Sequence, residues 1–151
     1  METKSFLVEE IQISYRFKVK PSERPTITTA QQAYEALLST WNEDIIDLQE
    51  QFKILLLNRA SKLLGIFEVS TGSSSGTIAD PKRIFVAALK ANAVSIILCH
   101  NHPSGSLIPS KADEDMTHKI KTAGKYLDIQ VLDHLIITSE GFYSFCENGI
   151  F

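Results

Sequence analysis

The feature that most restricts the fold is a short apolar run, Ala93–Cys99 (AVSIILC), that passes directly into His100, Asn101 and His102. A run this short, with almost no polar interruption, suits a strand covered on both faces, which needs helices above and below its sheet. The flanking segments supply them. Upstream, Asp80-Pro81 starts a helix, with Asp as N-cap and Pro at the first helical position. Ile84, Phe85, Ala88 and Leu89 then recur at three-and-four spacing, and the helix is expected to end near Asn92. Downstream, a polar loop over His100–Pro109 leads to Ser110, which caps a helix over Lys111–Leu127.

The remaining segments extend this pattern. Thr28 or Thr29 caps a helix running through Tyr34 and Leu38 toward Trp41. Phe52–Leu57 and Leu63–Val69 read as strands of a hairpin turning at Asn58–Lys62. Ile129–Thr138 and the shorter Gly141–Cys146 form a second hairpin, and Thr71–Thr77 (TGSSSGT) is a loop or tight turn. Glu10–Val19 alternates, with Ile11, Ile13, Tyr15, Phe17 and Val19 on one face, so a half-buried strand is expected there. Lys20–Pro25 (KPSERP) reads as a linker. The expected fold class is α/β, a mixed β-sheet with flanking helices. The expected organisation is an N-terminal strand and linker over 1–25 and one domain over 26–151.

Composition excludes several classes of function. The longest apolar runs fall far short of the ~20 residues a membrane helix needs, so no membrane partner is expected. Residues 1–20 are charged and lack the hydrophobic block of a signal peptide, and the expected location is cytoplasmic. A formal net charge of −3 gives no general pull toward nucleic acid. Cys99 and Cys146 form no CxxC and lie in apolar surroundings, so both are expected as buried thiols.

The chemistry concentrates in Cys99–Asp113 (CHNHPSGSLIPSKAD). Side chains two apart on an extended chain point the same way, so His100 and His102 converge on one point. Asp113 opens the next helix and can face them across the loop. Two imidazole nitrogens and one carboxylate make a three-ligand set typical of catalytic zinc, with a further position for water. One zinc ion is therefore the expected cofactor; Mn²⁺ or Fe²⁺ suits the same donors. Hydrolysis also needs a base and an oxyanion donor. Ser110 is the candidate donor. Glu50, just before a strand, is the best-placed base, with Glu43, Asp44 and Asp47 as competitors.

His100-x-His102, seven residues, Ser110, two residues and Asp113 together match the H-x-H-x7-S-x2-D signature of JAMM (MPN+) metalloproteases. Four fixed residues at that spacing arise by chance on the order of 10⁻⁶ to 10⁻⁵ per starting position. The chain resembles the RadC-like bacterial branch more closely still, through HNHPSG, the helix and strand over 84–97, Leu132–Ile137 (LDHLII) and Glu50-Gln51-Phe52. The resemblance covers about residues 30–151. It implies the JAMM/MPN, cytidine deaminase-like architecture. It also implies His100, His102 and Asp113 as zinc ligands, Glu50 as general acid/base, Ser110 at the scissile carbonyl, and hydrolysis of a peptide or isopeptide bond.

Other readings compete. Ser110 and Asp113 also form a capping-box pattern, and the two roles are compatible because a carboxylate has two oxygens. His134 is read as a hydrogen-bonded or supporting histidine rather than a ligand, and His118 as a surface residue. A DNA-associated accessory module of the same fold is the alternative function. It draws on Lys111, Lys119, Lys121 and Lys125, but Asp113, Glu114 and Asp115 dilute that patch. The helix-hairpin-helix region common in RadC-like proteins does not fit in the ~29 residues before the matching domain, which weakens a repair role. The H-N-H letters do not make an HNH nuclease, and the H-x-E with P-C-x-x-C of a nucleobase deaminase is missing.

Overall fold

The computed structural model describes residues 2–72 and 79–151. The serine-rich turn expected within Thr71–Thr77 lies, from residue 73 onward, outside the described residues. Helices α1 (Ala30–Thr40) and α2 (Glu43–Ile46) precede strands β1 (Gln51–Leu57) and β2 (Leu63–Thr71). Helix α3 (Pro81–Lys90), strand β3 (Ser95–Asn101), helix α4 (Lys111–Tyr126) and strands β4 (Gln130–Ile137) and β5 (Phe142–Ser144) follow. The strands form one mixed sheet in the order β2-β1-β3-β4-β5, in which only the β3–β4 pair is parallel. The α/β class, both hairpins and the central position of the apolar run are as expected.

The sheet is covered on both faces. On one, Phe52, Ile54, Ile96 and Leu98 pack with Ile84, Phe85 and Ala88 of α3 and Ile120 of α4. On the other, Leu55, Ile97, Cys99 and Leu135 pack with Ala33 and Leu37 of α1, Trp41, and Ile46 of α2. Alternation along β3 sorts its even-numbered residues to the first face and its odd-numbered residues to the second. The turn from α4 into β4 folds tightly back on the helix end, where a Cβ on Gly124 would sit 2.5 Å from the Ile129 carbonyl oxygen.

Two expectations are corrected. Glu10–Val19 is not a strand: residues 2–16 carry no regular structure, and Ile11 and Ile13 are more than four-fifths exposed. Period-two patterning chooses which face a strand would bury, but a strand also needs a neighbour for its backbone, and this segment has none among the described residues. The central strand ends later than the apolar run does. Pairing with Phe52 on β1 and Ile136 on β4 carries His100 into the ladder, so it belongs to the strand and not to the loop.

Candidate metal centre

Strand β3 delivers His100 and His102 to the α3/α4 side of the sheet, at the strand's C-terminal end. Their Nε2 atoms lie 3.0 Å apart. The Asp113 carboxylate borders both, with Oδ1 at 3.5 Å from His100 Nε2 and Oδ2 at 3.7 Å from His102 Nε2. Asp113 is aimed by the start of α4. The Ser110 hydroxyl accepts from Asp113 N–H at 3.1 Å, while Ser110 N–H donates to Asp113 Oδ2 at 2.8 Å. The capping box is thus present, and Oδ1 stays directed at His100.

Glu50 arrives from the next strand. It immediately precedes β1, whose antiparallel register with β3 begins at the pair Phe52–His100 and so brings Glu50 to the same end of the sheet. Its Oε1 is 4.0 Å from His100 Nε2. One donor atom each from Glu50, His100 and His102 lie within 4.8 Å of one another. Glu43 and Asp44 sit exposed in α2 and Asp47 at its C-cap, so among the four candidate acids Glu50 is the one brought to the imidazoles.

The two carboxylates differ electrostatically. Burial pushes the Glu50 carboxyl up, against the pull of His100 and His102 and with help from Asp113. Burial also works against an ionised Asp113. There, contacts with His100 and His102 and the Ser110 N–H prevail and hold it well below the usual carboxylate range. The neighbouring Asp113 raises the His102 imidazole, burial opposes this, and the Ser106 carbonyl adds to the rise.

The donors suit a divalent cation. His102 Nδ1 lies 2.7 Å from the Ser106 carbonyl oxygen, which can only accept, so Nδ1 carries the proton and Nε2 the lone pair. Two imidazole nitrogens beside an anionic carboxylate form a nitrogen–oxygen donor set that could hold a divalent metal ion.

Further side chains support the cluster; of these His134 is expected from the sequence, while Asn101, Thr117 and Asp133 are not. Asn101, between the histidines, is fully buried and faces the other way. Its carboxamide donates to the carbonyls of Ile46 at 2.7 Å and Gln49 at 2.8 Å, and accepts from Gln51 N–H at 2.7 Å. It therefore grips the backbone on both sides of Glu50. His134, expected as a supporting histidine, lies wholly buried with Nε2 2.8 Å from His100 Nδ1. Burial, reinforced by the imidazole of His100, keeps it well below the usual histidine range and neutral. Phe145 stacks on its ring, and Thr117 Oγ1 lies 2.5 Å from its Nδ1. Asp133, beside it, accepts from Ser144 Oγ and Cys146 N–H and so ties down β5 and the segment after it. Cys99 is buried as expected, but Cys146 is exposed, because the chain leaves the sheet after Ser144. His118 is exposed on α4.

A mixed, two-sided sheet carrying an imidazole–carboxylate cluster at the end of its central strand defines an α/β domain with a candidate metal site. The chain belongs to the RadC-like JAB domain family, whose model matches residues 27–150. It is 50% identical over 102 residues to a UPF0758 protein of Flavobacterium johnsoniae, covering 68% of this chain and 44% of that protein. It is 46% identical over 102 residues to one from Clostridium kluyveri, covering 68% and 45%. It is 38% identical over 101 residues to one from Symbiobacterium thermophilum, covering 67% and 43%. The chain thus spans less than half the length of these curated relatives. No helix among the described residues is long and apolar enough to cross a membrane.

Proposed function

We propose that this chain is a zinc-dependent hydrolase of the JAMM type, cleaving a peptide or isopeptide bond in a peptide or protein substrate. The observation that carries the reading is the convergence of His100, His102 and Asp113, with Glu50 alongside. Asp113 borders both imidazoles and stays anionic, which suits a ligand. Glu50 stands slightly farther off, with Oε1 4.0 Å from His100 Nε2, and burial raises its carboxyl above the ordinary value, which suits a base. His100, His102 and Asp113 would hold the zinc. Such an ion supplies Lewis acidity, lowering the pKa of water toward ~7 and polarising a carbonyl.

The chain's own residues do the rest. Glu50 takes the proton from the attacking water and passes it to the departing amine. The Ser110 hydroxyl accepts from Asp113 N–H, which leaves its own hydrogen available to donate to the oxygen of a scissile carbonyl. Of the α4 lysines, Lys111 is paired with Asp115 at 3.0 Å and Lys121 lies over the Phe151 ring.

Two substitutions test the assignment. Glu50→Gln should keep stoichiometric zinc by elemental analysis and slow cleavage of isopeptide- or peptide-linked substrates by roughly 10²–10⁴-fold. Asp113→Ala should lose the zinc. Full turnover in Glu50→Gln, or purified wild-type protein that takes up no zinc, would overturn the reading.

A further inference from the structure

We infer that Thr117 and His134 are positioning residues that hold the His100 ring as one tautomer, with its proton on Nδ1 and its Nε2 lone pair turned to Glu50, His102 and Asp113. The inference rests on the reading of His100 as a metal ligand, and it concerns a hydrogen-bond chain that no part of that reading requires.

Thr117 Oγ1 lies 2.7 Å from the Asp113 carbonyl oxygen. Two oxygens at that distance need a hydrogen between them, and a carbonyl has none. The single hydroxyl hydrogen of Thr117 is therefore committed to Asp113 O. Thr117 Oγ1 is also 2.5 Å from His134 Nδ1. With its hydrogen already used, the hydroxyl can only accept there, so His134 Nδ1 is protonated. A second proton on His134 would make a buried cation with no anion among its hydrogen-bond partners, since its nitrogens meet only Thr117 and His100. Its Nε2 is therefore bare, and at 2.8 Å from His100 Nδ1 it must accept. The neutral His100 ring thus carries its proton on Nδ1 and turns its Nε2 lone pair toward His102 Nε2, 3.0 Å away, and the Glu50 and Asp113 carboxylates, the place a cation would take.

The two ligand histidines reach the same state by different routes. His102 donates directly to a carbonyl, Ser106 O, from an exposed loop. His100, in the sheet interior, has no carbonyl beside Nδ1 and is connected to one through His134 and Thr117. The connection ends on the backbone of Asp113 itself, so the residue that supplies a carboxylate also sets the polarity of the chain that orients His100. Stacking of His134 on Phe145, with ring centroids 4.7 Å apart, and of His100 on Phe52, at 6.0 Å, keeps both rings in place.

The test reads tautomers and metal separately. Long-range ¹H–¹⁵N spectra of the histidine rings in metal-free wild-type protein should show His134 as the Nδ1–H tautomer, the minor form of imidazole in water, and a proton on His100 Nδ1. Thr117→Val, which keeps shape and removes the hydroxyl, should move His134 to the Nε2–H form and weaken zinc binding by roughly 10–100-fold. Thr117→Ser should restore both. A wild-type His134 in the Nε2–H form, or a folded Thr117→Val variant with unchanged zinc affinity, overturns the inference. Failure of the metal reading itself looks different: the wild-type spectra stand, and no variant or wild-type protein takes up zinc.

Discussion

Neighbouring residues at the end of β3 serve opposite purposes. His100 and His102 point to the α3/α4 side and offer ring nitrogens to one another and to two carboxylates. Asn101 points to the α1/α2 side, where both its donors and its acceptor are spent on backbone groups around Glu50. One side leaves donor atoms for a ligand; the other closes every polar valence so that the first keeps its shape. Strand alternation makes this division possible within three consecutive residues.

The sharpest way to break the comparison is to remove one residue from each side. His102→Ala should abolish zinc uptake and, in the metal-free protein, cost less than the loss of Asn101, because the ring is partly exposed and its contribution is confined to the pH range where it is protonated. Asn101→Leu should do the reverse. It strips partners from two carbonyls and one N–H. At about 1–3 kcal/mol for an unsatisfied buried group, with Gln49 O partly hydrated, the cost should be roughly 2–4 kcal/mol by urea unfolding. The folded fraction should still take up one zinc. If Asn101→Leu were as stable as wild type, the grip on the Glu50 segment would not exist.

These two sides were unequally readable in the sequence. The histidines announce themselves because a spacing of two on an extended chain aligns side chains, and Ser110 and Asp113 because helix starts follow local rules. Asn101 stood between them unassigned. Its partners are backbone atoms of residues 50 to 55 positions away, and backbone atoms leave no trace in residue type. Thr117 and His134 are similarly remote, 17 positions apart, and meet only because α4 packs over β4. The opposite failure occurred at Glu10–Val19, where alternation as regular as that of any strand met no ladder. Periodicity is a property of one segment, whereas pairing is a property of two.

A smaller effect separates the sides by pH. In metal-free protein, the raised His102 contributes stability that is complete below its ordinary value of 6.5 and is lost as pH rises through its folded value. The raised Glu50 acts in the same direction: its protonated form favours the fold below its ordinary 4.5, and the benefit fades as pH climbs through the folded value. Asp113, held low, contributes stability above its ordinary 3.8 and loses it as pH falls further. Stability should therefore climb as pH falls toward 6.5, where the His102 contribution is complete, and on toward 4.5, where that of Glu50 is, and drop as pH falls below 3.8. Glu50→Gln should flatten the climb. Asn101→Leu should lower the whole curve without changing its form, since the carboxamide does not titrate. A changed form in that variant would mean that the two sides are coupled.

The smallest expected effect distinguishes a cap from a cap that also faces the site. Thr29 starts α1 and Ser110 starts α4 with the same device, a side-chain oxygen accepting from the third residue's N–H at 3.1 Å in each case. Alanine at either position should cost about 1 kcal/mol in thermal or urea unfolding. Only the Ser110 box contains a carboxylate that also borders the imidazoles. Ser110→Ala should therefore slow hydrolysis by more than its unfolded fraction explains, while Thr29→Ala should leave turnover per folded molecule unchanged. Equal turnover in the two variants would reduce Ser110 to a helix start and leave Glu50 as the one side chain outside the ligand set that the chemistry needs.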